Sequence, residues 1–536
     1  VNLAYHANGQ LSTSQQGHWQ LSYDYNELGQ RKSVQLPDGN QLCYEYTEQG
    51  QLSQVSLESS ISNNIKSKAQ SLVSFHYNNT GLNTQQRLGN GIELIQQFDV
   101  YSRLTEQQWQ RADESLAFAE LRTYQYDNKH QLTALQQKTS AQQHNKNSNN
   151  NQATIETHQA KTFGYNSLSQ LISTTVKQTD NSNDDNYNPN HTEVSRPTDK
   201  ESTTTKAGNA AHIAQKKHYQ WDAFGNPQSA AQTKDSNNSD DIIVKNDQLY
   251  RFAGTDYRFD DCGNQISLWG KGNKQQRVYN AFNQLKQLNH NGKLTHYEYD
   301  ALGRRSAKIT EHGRIDFIWD NNQLIGEHHN GKFTWFIYQP ETFLPIALIK
   351  QDEIYYYHLD QLGTPICLTD SKAQQVWRNE CDAFGYELDN NKESSKENNQ
   401  ENTFTNLIEN PLRFQGQYFD EESKLHYNRF RYYCPKQQRF INQDPIGLVG
   451  GINHYQYAPN PVNWVDPFGL LCKEGQAKVA KVIKDNGNIP PELEAKLIAI
   501  TQLENSGYTA DEMIENIDAG TVCSLVDTSE STPKYG

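Results

Sequence analysis

Along most of the chain, apolar positions alternate with polar ones, and the alternation is cut at short intervals by Asp or Asn followed by Gly. One unit recurs: aromatic-x-aromatic, Asp or Asn, two residues, Gly or another turn former, one residue, then an aliphatic. Tyr23-Asp24-Tyr25-Asn26-Glu27-Leu28-Gly29-Gln30 and Tyr297-Glu298-Tyr299-Asp300-Ala301-Leu302-Gly303-Arg304 are clear copies; looser ones start at Phe75, Phe98, Tyr124, Phe163, Tyr219, Tyr257 and Tyr279. Adjacent copies stand close to 20 residues apart: 21 from Tyr77 to Phe98, and 20 from Phe259 to Tyr279 and from there to Tyr299.

Side chains alternate faces along a strand, so aromatic-x-aromatic places two rings on one face. Asp or Asn opens a turn by bonding its own downstream backbone, and Gly supplies the positive φ that closes it. Each copy therefore reads as a β-hairpin, which alone is marginal in water. Successive hairpins must pair edge to edge into a long antiparallel sheet, and such a sheet coils because strands twist with a fixed hand. A propeller or a flat adhesive solenoid uses similar units and stays open on the repeat alone.

Three stretches are too polar to fit the pattern: Lys138 to His218, interrupted by one repeat at Phe163–Ile172; Glu387 to Thr403; and residues 56–70. All three are expected to be solvated loops. After Leu470 the pattern changes to helical spacing, with Leu493, Leu497, Ile500 and Leu503 on one face behind Pro490-Pro491. Residues 477–484 and 491–505 are predicted helices, and Thr509-Ala510-Asp511-Glu512 reads as a further helix start. This tail has 66 residues, six Lys, eleven acids, no Arg and no His, a formal charge of −5. It cannot supply a His-based nuclease centre, and its charge disfavours a phosphate backbone.

Composition narrows the function classes. The chain has 536 residues, too many for one small core. Tyr reaches 30 while hydrophobic residues are only 34%, so aromatic rings must supply much of the packing. The net charge of −14 argues against a duplex nucleic-acid binder. Apolar runs such as Phe343–Ile349 fall far short of the roughly 20 residues a membrane helix needs. Seven scattered Cys, with no C-x-x-C pair, suit neither a disulfide framework nor zinc. The 17 His are dispersed, and adjacent His328-His329 would point to opposite sides of a strand, so neither a metal nor a cofactor is expected. A chain opening at Val1 with one Met, Met513, is expected to be a processed piece of something longer.

Two Asp-Pro-x-Gly units stand 22 residues apart, Asp444-Pro445-Ile446-Gly447 and Asp466-Pro467-Phe468-Gly469. Taken singly, each is a turn former. Gly450-Gly451 between them allows close backbone approach. Two carboxylates brought together cannot both ionise easily, so one stays protonated and the pair offers an acid and a base.

The repeat unit resembles the YD repeat of the RHS family, shared with teneurins and the C component of insecticidal Tc toxins. The likeness covers residues 1 to about 470. It is most specific in YYYHLDQLGTPICLTD (355–370), NPLRFQGQYFDEESKLHYNRFRYYCPKQQRFINQDPIGLVGG (410–451) and INHYQYAPNPVNWVDPFGL (452–470). The resemblance implies a mostly β fold, a hollow cocoon walled by a spiralling sheet. Residues 1–409 would form the shell, 410–470 a core-ending plug, and 471–536 a variable, partial toxin region as guest.

It further implies self-cleavage by Asp444 and Asp466 at Leu470–Leu471. Pro445, Gly447, Gly450, Gly451, Pro467 and Gly469 would shape the plug. Where some relatives have a basic and an acidic residue, this chain has Gln443 and Gln456; Arg429, Arg431 or Arg439 are then candidates for electrostatic support. Simple lability of the Asp-Pro bonds would instead cut at 444/445 and 466/467. The implied setting is interbacterial competition: the protein is secreted, delivered from the bacterial cytoplasm into a target cell by type VI secretion. Spike proteins or an adaptor chaperone, and a cognate immunity protein, would be partners. The alternative is an adhesive recognition module without proteolysis.

Overall fold

The computed structural model describes residues 1–59, 69–111, 118–143, 153–180, 212–228, 242–270, 272–387 and 406–470, and these are almost entirely β-structure. Fifteen strands, β1 (Asn2–Tyr5) to β15 (His212–His218), form one antiparallel sheet in strict chain order. Fifteen more, β16 (Ile243–Lys245) to β30 (Gln375–Arg378), form a second in the same way. A third, small sheet holds β31 (Tyr418–Asp420), β32 (Leu425–Asn428), β33 (Arg431–Cys434) and β34 (Arg439–Phe440). Sheets of fifteen strands in sequence do not fit the four-stranded blades of a propeller. The expected antiparallel repeat sheet is present, divided into two.

The hairpin chemistry is visible in each repeat. Asn26 Oδ1 accepts the N–H groups of Leu28 (3.0 Å) and Gln30 (2.9 Å), and Gly29 turns the chain at φ +80°. Asp300 does the same for Leu302 (2.9 Å) and Arg304 (3.0 Å). The first aromatic, Tyr23 or Tyr297, is buried in the core. The second uses its hydroxyl: Tyr25 donates to Leu11 O (2.9 Å), Tyr46 to Arg31 O (2.8 Å), Tyr126 to Leu104 O (2.9 Å) and Tyr299 to Leu285 O (2.9 Å). Each such bond ties one repeat to the previous one, at a net value of about 1 kcal/mol. Phe could fill the same space but not make the bond, which explains much of the tyrosine content.

The strand register slips beside that second aromatic, at Asp24/Tyr25, Gln125/Tyr126 and Glu298/Tyr299. A bulge bends its strand and increases local twist. Repeated once per hairpin, it supplies the curl expected of so long a sheet.

The two large sheets pack on each other through Leu21, Tyr23, Val34 and Leu42 of the first and Ile318, Trp335, Ile337 and Ile349 of the second. At this seam Arg31 on β4 (Arg31–Gln35) pairs with Asp320 at the end of β24 (Gly313–Asp320), and the Tyr23 hydroxyl donates to Asp320 Oδ1 at 3.0 Å. Trp335 Nε1 donates to Asp38 Oδ2 at 2.6 Å. The second sheet also packs on the third, through Phe317, Phe336, Tyr357, Tyr418 and Tyr432.

One expectation needs correction. The polar stretch 138–218 is not a loop where it is described: β12 (Leu132–Gln143), β13 (Ala153–Tyr165), β14 (Leu171–Asp180) and β15 cross it in continuous register. Hydrophobic pattern reports burial, whereas ladder bonds are made by backbone, and these strands are rich in β-branched Thr. Residues 144–152 and 181–211 lie outside the described residues. Of the stretch at 56–70, the ends belong to β6 (Leu52–Glu58) and β7 (Gln70–Tyr77), and 60–68 lie outside. The stretch at 387–403, beyond its first residue, and the expected helical tail 471–536 also lie outside.

Candidate functional site

Residues 410–470 dock along a row of repeat turns. Arg429 donates to Leu302 O (2.7 Å) and Gly303 O (3.1 Å), the Tyr455 hydroxyl to Gly263 O (2.8 Å), Asn453 to Phe224 O (3.0 Å), and Asn460 to Ser169 O (2.7 Å). A buried ion pair, Arg305 with Asp420, anchors β31 to the wall. Its guanidinium is ringed by Phe317 (4.5 Å), Tyr427 (4.4 Å), Tyr418 (5.2 Å) and Tyr297 (5.4 Å), so the desolvated charge keeps favourable contacts.

Another buried cation belongs to the third sheet itself. Arg431 opens β33 with its side chain fully enclosed, and its Nη2 stands 2.9 Å from Asp444 Oδ2 and 3.4 Å from Asp466 Oδ2. Nη1 donates to His454 O at 3.0 Å and Nε to Gly469 O, while the guanidinium lies 3.7 Å over the Phe440 ring. The two acids, 22 positions apart in sequence, thus share one guanidinium nitrogen.

Each acid also closes its own turn. Asp444 Oδ1 accepts the Ile446 N–H (3.1 Å), and Asp444 O accepts the Gly447 N–H (3.0 Å). Asp466 Oδ1 accepts the Leu470 N–H at 2.8 Å, and Asp466 O accepts the Gly469 N–H at 3.3 Å. Pro445 and Pro467 hold φ in these turns, and Gly447 (φ +58°) and Gly469 (φ +72°) take the left-handed conformation. Gly451 is also left-handed, at φ +128°. Gly450 is required by close approach, since a Cβ there would fall on the Asp444 carboxylate. A Cβ on Gly469 would lie 2.6 Å from Asn428 O.

Burial pushes the Asp466 carboxyl up to about 7; Arg431 opposes that rise and Asp444 adds to it. Burial draws the Arg431 guanidinium below its ordinary value, against the pull of both acids. Arginine nonetheless stays protonated. A dry pocket with one cation and two acids is neutral only if one acid keeps its proton.

Of the three arginine candidates, Arg431 alone lies between the acids. Arg429 is bonded to repeat turns, and Arg439 Nη2 donates to Asp247 O (2.8 Å), Asn453 Oδ1 (3.1 Å) and Asn226 Oδ1 (3.2 Å). Gln443 lies against Gly263 and Gln456 against Gly225. Leu470 ends the described chain, and Leu471 is outside it. Among the described residues no group of three His, Cys, Asp or Glu could hold a metal ion.

Four residues beyond the motif complete the pocket. Asn428 Nδ2 donates to Asp466 O (2.8 Å), and the Tyr457 hydroxyl accepts the Asp466 N–H (3.3 Å). Phe440 underlies the guanidinium. Gly416, at φ +75°, leaves room for Pro467 O, on which its Cβ would fall. Tyr457 carried a usable signal, as the second ring of Tyr455-Gln456-Tyr457. Asn428, Phe440 and Gly416 carried none.

Residues 279–315 match the family described as RHS Repeat, and residues 354–389 match the one described as RHS protein. In these segments the chain is similar to RHS repeat proteins. It is 31% identical over 285 residues to the double-stranded DNA deaminase toxin A of Burkholderia cenocepacia, a match covering 47% of this chain and 19% of that protein. It is 30% identical over 273 residues to the toxin protein Tse5 of Pseudomonas aeruginosa, covering 42% and 19%. The chain thus spans about a fifth of these relatives. Its fold is similar to the Photorhabdus luminescens Tc holotoxin pore (TM-score 0.60, 19% identity, 84% of this chain and 21% of that one). The TcdB2-TccC3-Cdc42 structure is comparable (TM-score 0.61, 18% identity, 89% and 24%). Among the described residues no helix is long and apolar enough to cross a membrane.

Proposed function

We propose that residues 1–470 are the shell and plug of an RHS-type toxin, enclosing the segment from Leu471 onward and freeing it by hydrolysis of the Leu470–Leu471 bond. The observation that carries this reading is the pair of acids on Arg431, one of them bonded to the N–H of Leu470. The curled repeat sheet supports enclosure, and the likeness to two toxin proteins supports a toxin. Delivery into a target cell by type VI secretion, with a spike or adaptor partner and an immunity protein for the producer, belongs to the same proposal.

The two acids take unequal roles. Asp444 makes the closer ion pair and acts as base; Asp466, with its raised carboxyl, is the acid. Asp466 Oδ1 receives the Leu470 N–H, which assigns the proton to Oδ2. Asp444 takes a proton from water as the water oxygen bonds to the Leu470 carbonyl carbon. Asp466 gives its proton to the Leu471 nitrogen and the C–N bond breaks, leaving a carboxyl group on Leu470 and a free amine on Leu471. One proton then passes between the acids to restore the starting state.

Expression of the chain tests the reading. The wild type should yield a fragment ending at Leu470, and Asp444→Asn and Asp466→Asn should remain whole. A wild-type chain that is never cut favours an adhesive recognition module instead.

A further inference from the structure

The pocket holds one polar atom without a partner among the described residues. Asn428, last in β32, is wholly buried, and its Nδ2 donates to Asp466 O at 2.8 Å. That bond sets the amide's orientation, because the flipped form would oppose two oxygens. Asn428 Oδ1 then receives no hydrogen bond. Buried amide oxygens in native folds are nearly always satisfied; among the described residues Asn273 Oδ1 is also left open, but only Asn428 carries its open oxygen on an amide that holds Asp466.

The same turn grips the chain end. Phe430 N–H donates to Phe468 O at 3.2 Å, and Arg431 Nε to Gly469 O. Residues 428–431 therefore hold 466–470 along its length, with Asn428 attached to the acid's own residue.

We propose that Asn428 is a positioning residue for self-cleavage: Nδ2 holds Asp466 in register with Leu470, and Oδ1 accepts a hydrogen of the attacking water. The inference rests on the self-cleavage reading. Water has two hydrogens, of which Asp444 takes one; a second acceptor aims the oxygen lone pair at the carbonyl carbon. An amide does this without adding charge to a pocket that already holds Asp444, Asp466 and Arg431. The other ionisable neighbours are engaged elsewhere: Arg429 on repeat carbonyls, the Tyr427 hydroxyl on the Arg305 N–H, His426 on Gln417, and Tyr457 on the Asp466 N–H.

The isosteric Asn428→Asp variant separates this role from bulk. A protonated carboxyl donates to Asp466 O as the amide does; an ionised one cannot. Beside two acids and out of water, its carboxyl stays protonated well above the ordinary range. Full-length Asn428→Asp and Asn428→Ala, purified at pH 8, should be largely uncut where the wild type is cut. On shifting to pH 5, the rate for Asn428→Asp relative to Asn428→Ala should rise about tenfold, the value of one good hydrogen bond. If Asn428→Ala does not fold, the pH 5 to pH 8 rate ratio of Asn428→Asp is set against the same ratio for the wild type, which already rises through Asp466, and should exceed it by about tenfold. Asn428→Asp cut like the wild type at pH 8, or gaining no more than the wild type on going to pH 5, overturns the proposal while self-cleavage stands. An uncut wild type overturns both.

Discussion

Asp466 accepts the N–H of Leu470 on Oδ1 at 2.8 Å, so the acid's own turn carries the proposed scissile residue to its carboxyl group. The other carboxylate oxygen faces the guanidinium that also holds Asp444. The turn motif and the acid pair are one construction.

The raised Asp466 carboxyl makes cleavage pH-dependent. The acid works protonated, so the rate should fall as pH rises through about 7. Chains synthesised in cell-free reactions buffered from pH 6.5 to 8.5 and quenched at short times would show it. Stability follows the same ionisation. The folded carboxyl lies above its ordinary value of 3.8, so its ionisation penalty grows as pH rises from there and is complete above about 7. Asp466→Asn should therefore gain thermal stability relative to the wild type across that interval.

Gly450→Ala places a methyl group on the Asp444 carboxylate, and Gly416→Ala places one on Pro467 O at a left-handed φ. Both should abolish cutting by displacing an acid or its turn, at a stability cost of about 1–3 kcal/mol. Circular dichroism and thermal unfolding would confirm that the sheet persists. Full cutting in both variants would place the acids elsewhere during reaction.

Arg431→Met leaves two buried acids without their cation and should cost about 3–5 kcal/mol along with cleavage. Arg431→Lys keeps the charge but loses the fork that reaches Gly469 O and His454 O, so slow cutting is expected. Unfolding temperatures and cut fractions of both variants measure this.

Much of this was legible in the chain. Tyr25-Asn26 and Tyr299-Asp300 announce strand and turn, and the two Asp-Pro-x-Gly units mark the pair of acids. The arginine was ambiguous because Arg429, Arg431 and Arg439 differ only in which neighbour the third sheet turns them toward. Arg429, at φ +52°, leaves its strand for the repeat turns, while Arg431 begins the next. The repeat at Phe163–Ile172 was legible, but the reach of its strands back to Ala153 and on to Asp180 was hidden because backbone pairing leaves no hydrophobic trace.

Glu120 on β11 (Phe118–Tyr126) carries a separate test of how the sheets are joined. Burial pushes its carboxyl up, but Arg122 (2.6 Å) and Arg378 of the second sheet (3.3 Å) bring it down to about 2. Its contribution is complete above the ordinary value of 4.5 and is lost as pH falls through about 2. The unfolding-temperature gap between wild type and Glu120→Gln should narrow over that range, from a stability difference of about 3 kcal/mol at most.

The decisive measurement is the intact mass and new N-terminal residue of the cleavage products from the wild type, Asp444→Asn and Asp466→Asn. The wild type should give a pair ending at Leu470 and starting at Leu471, with both variants whole. Products cut at Asp444–Pro445 and Asp466–Pro467, or cutting after Leu470 that survives both substitutions, would contradict it.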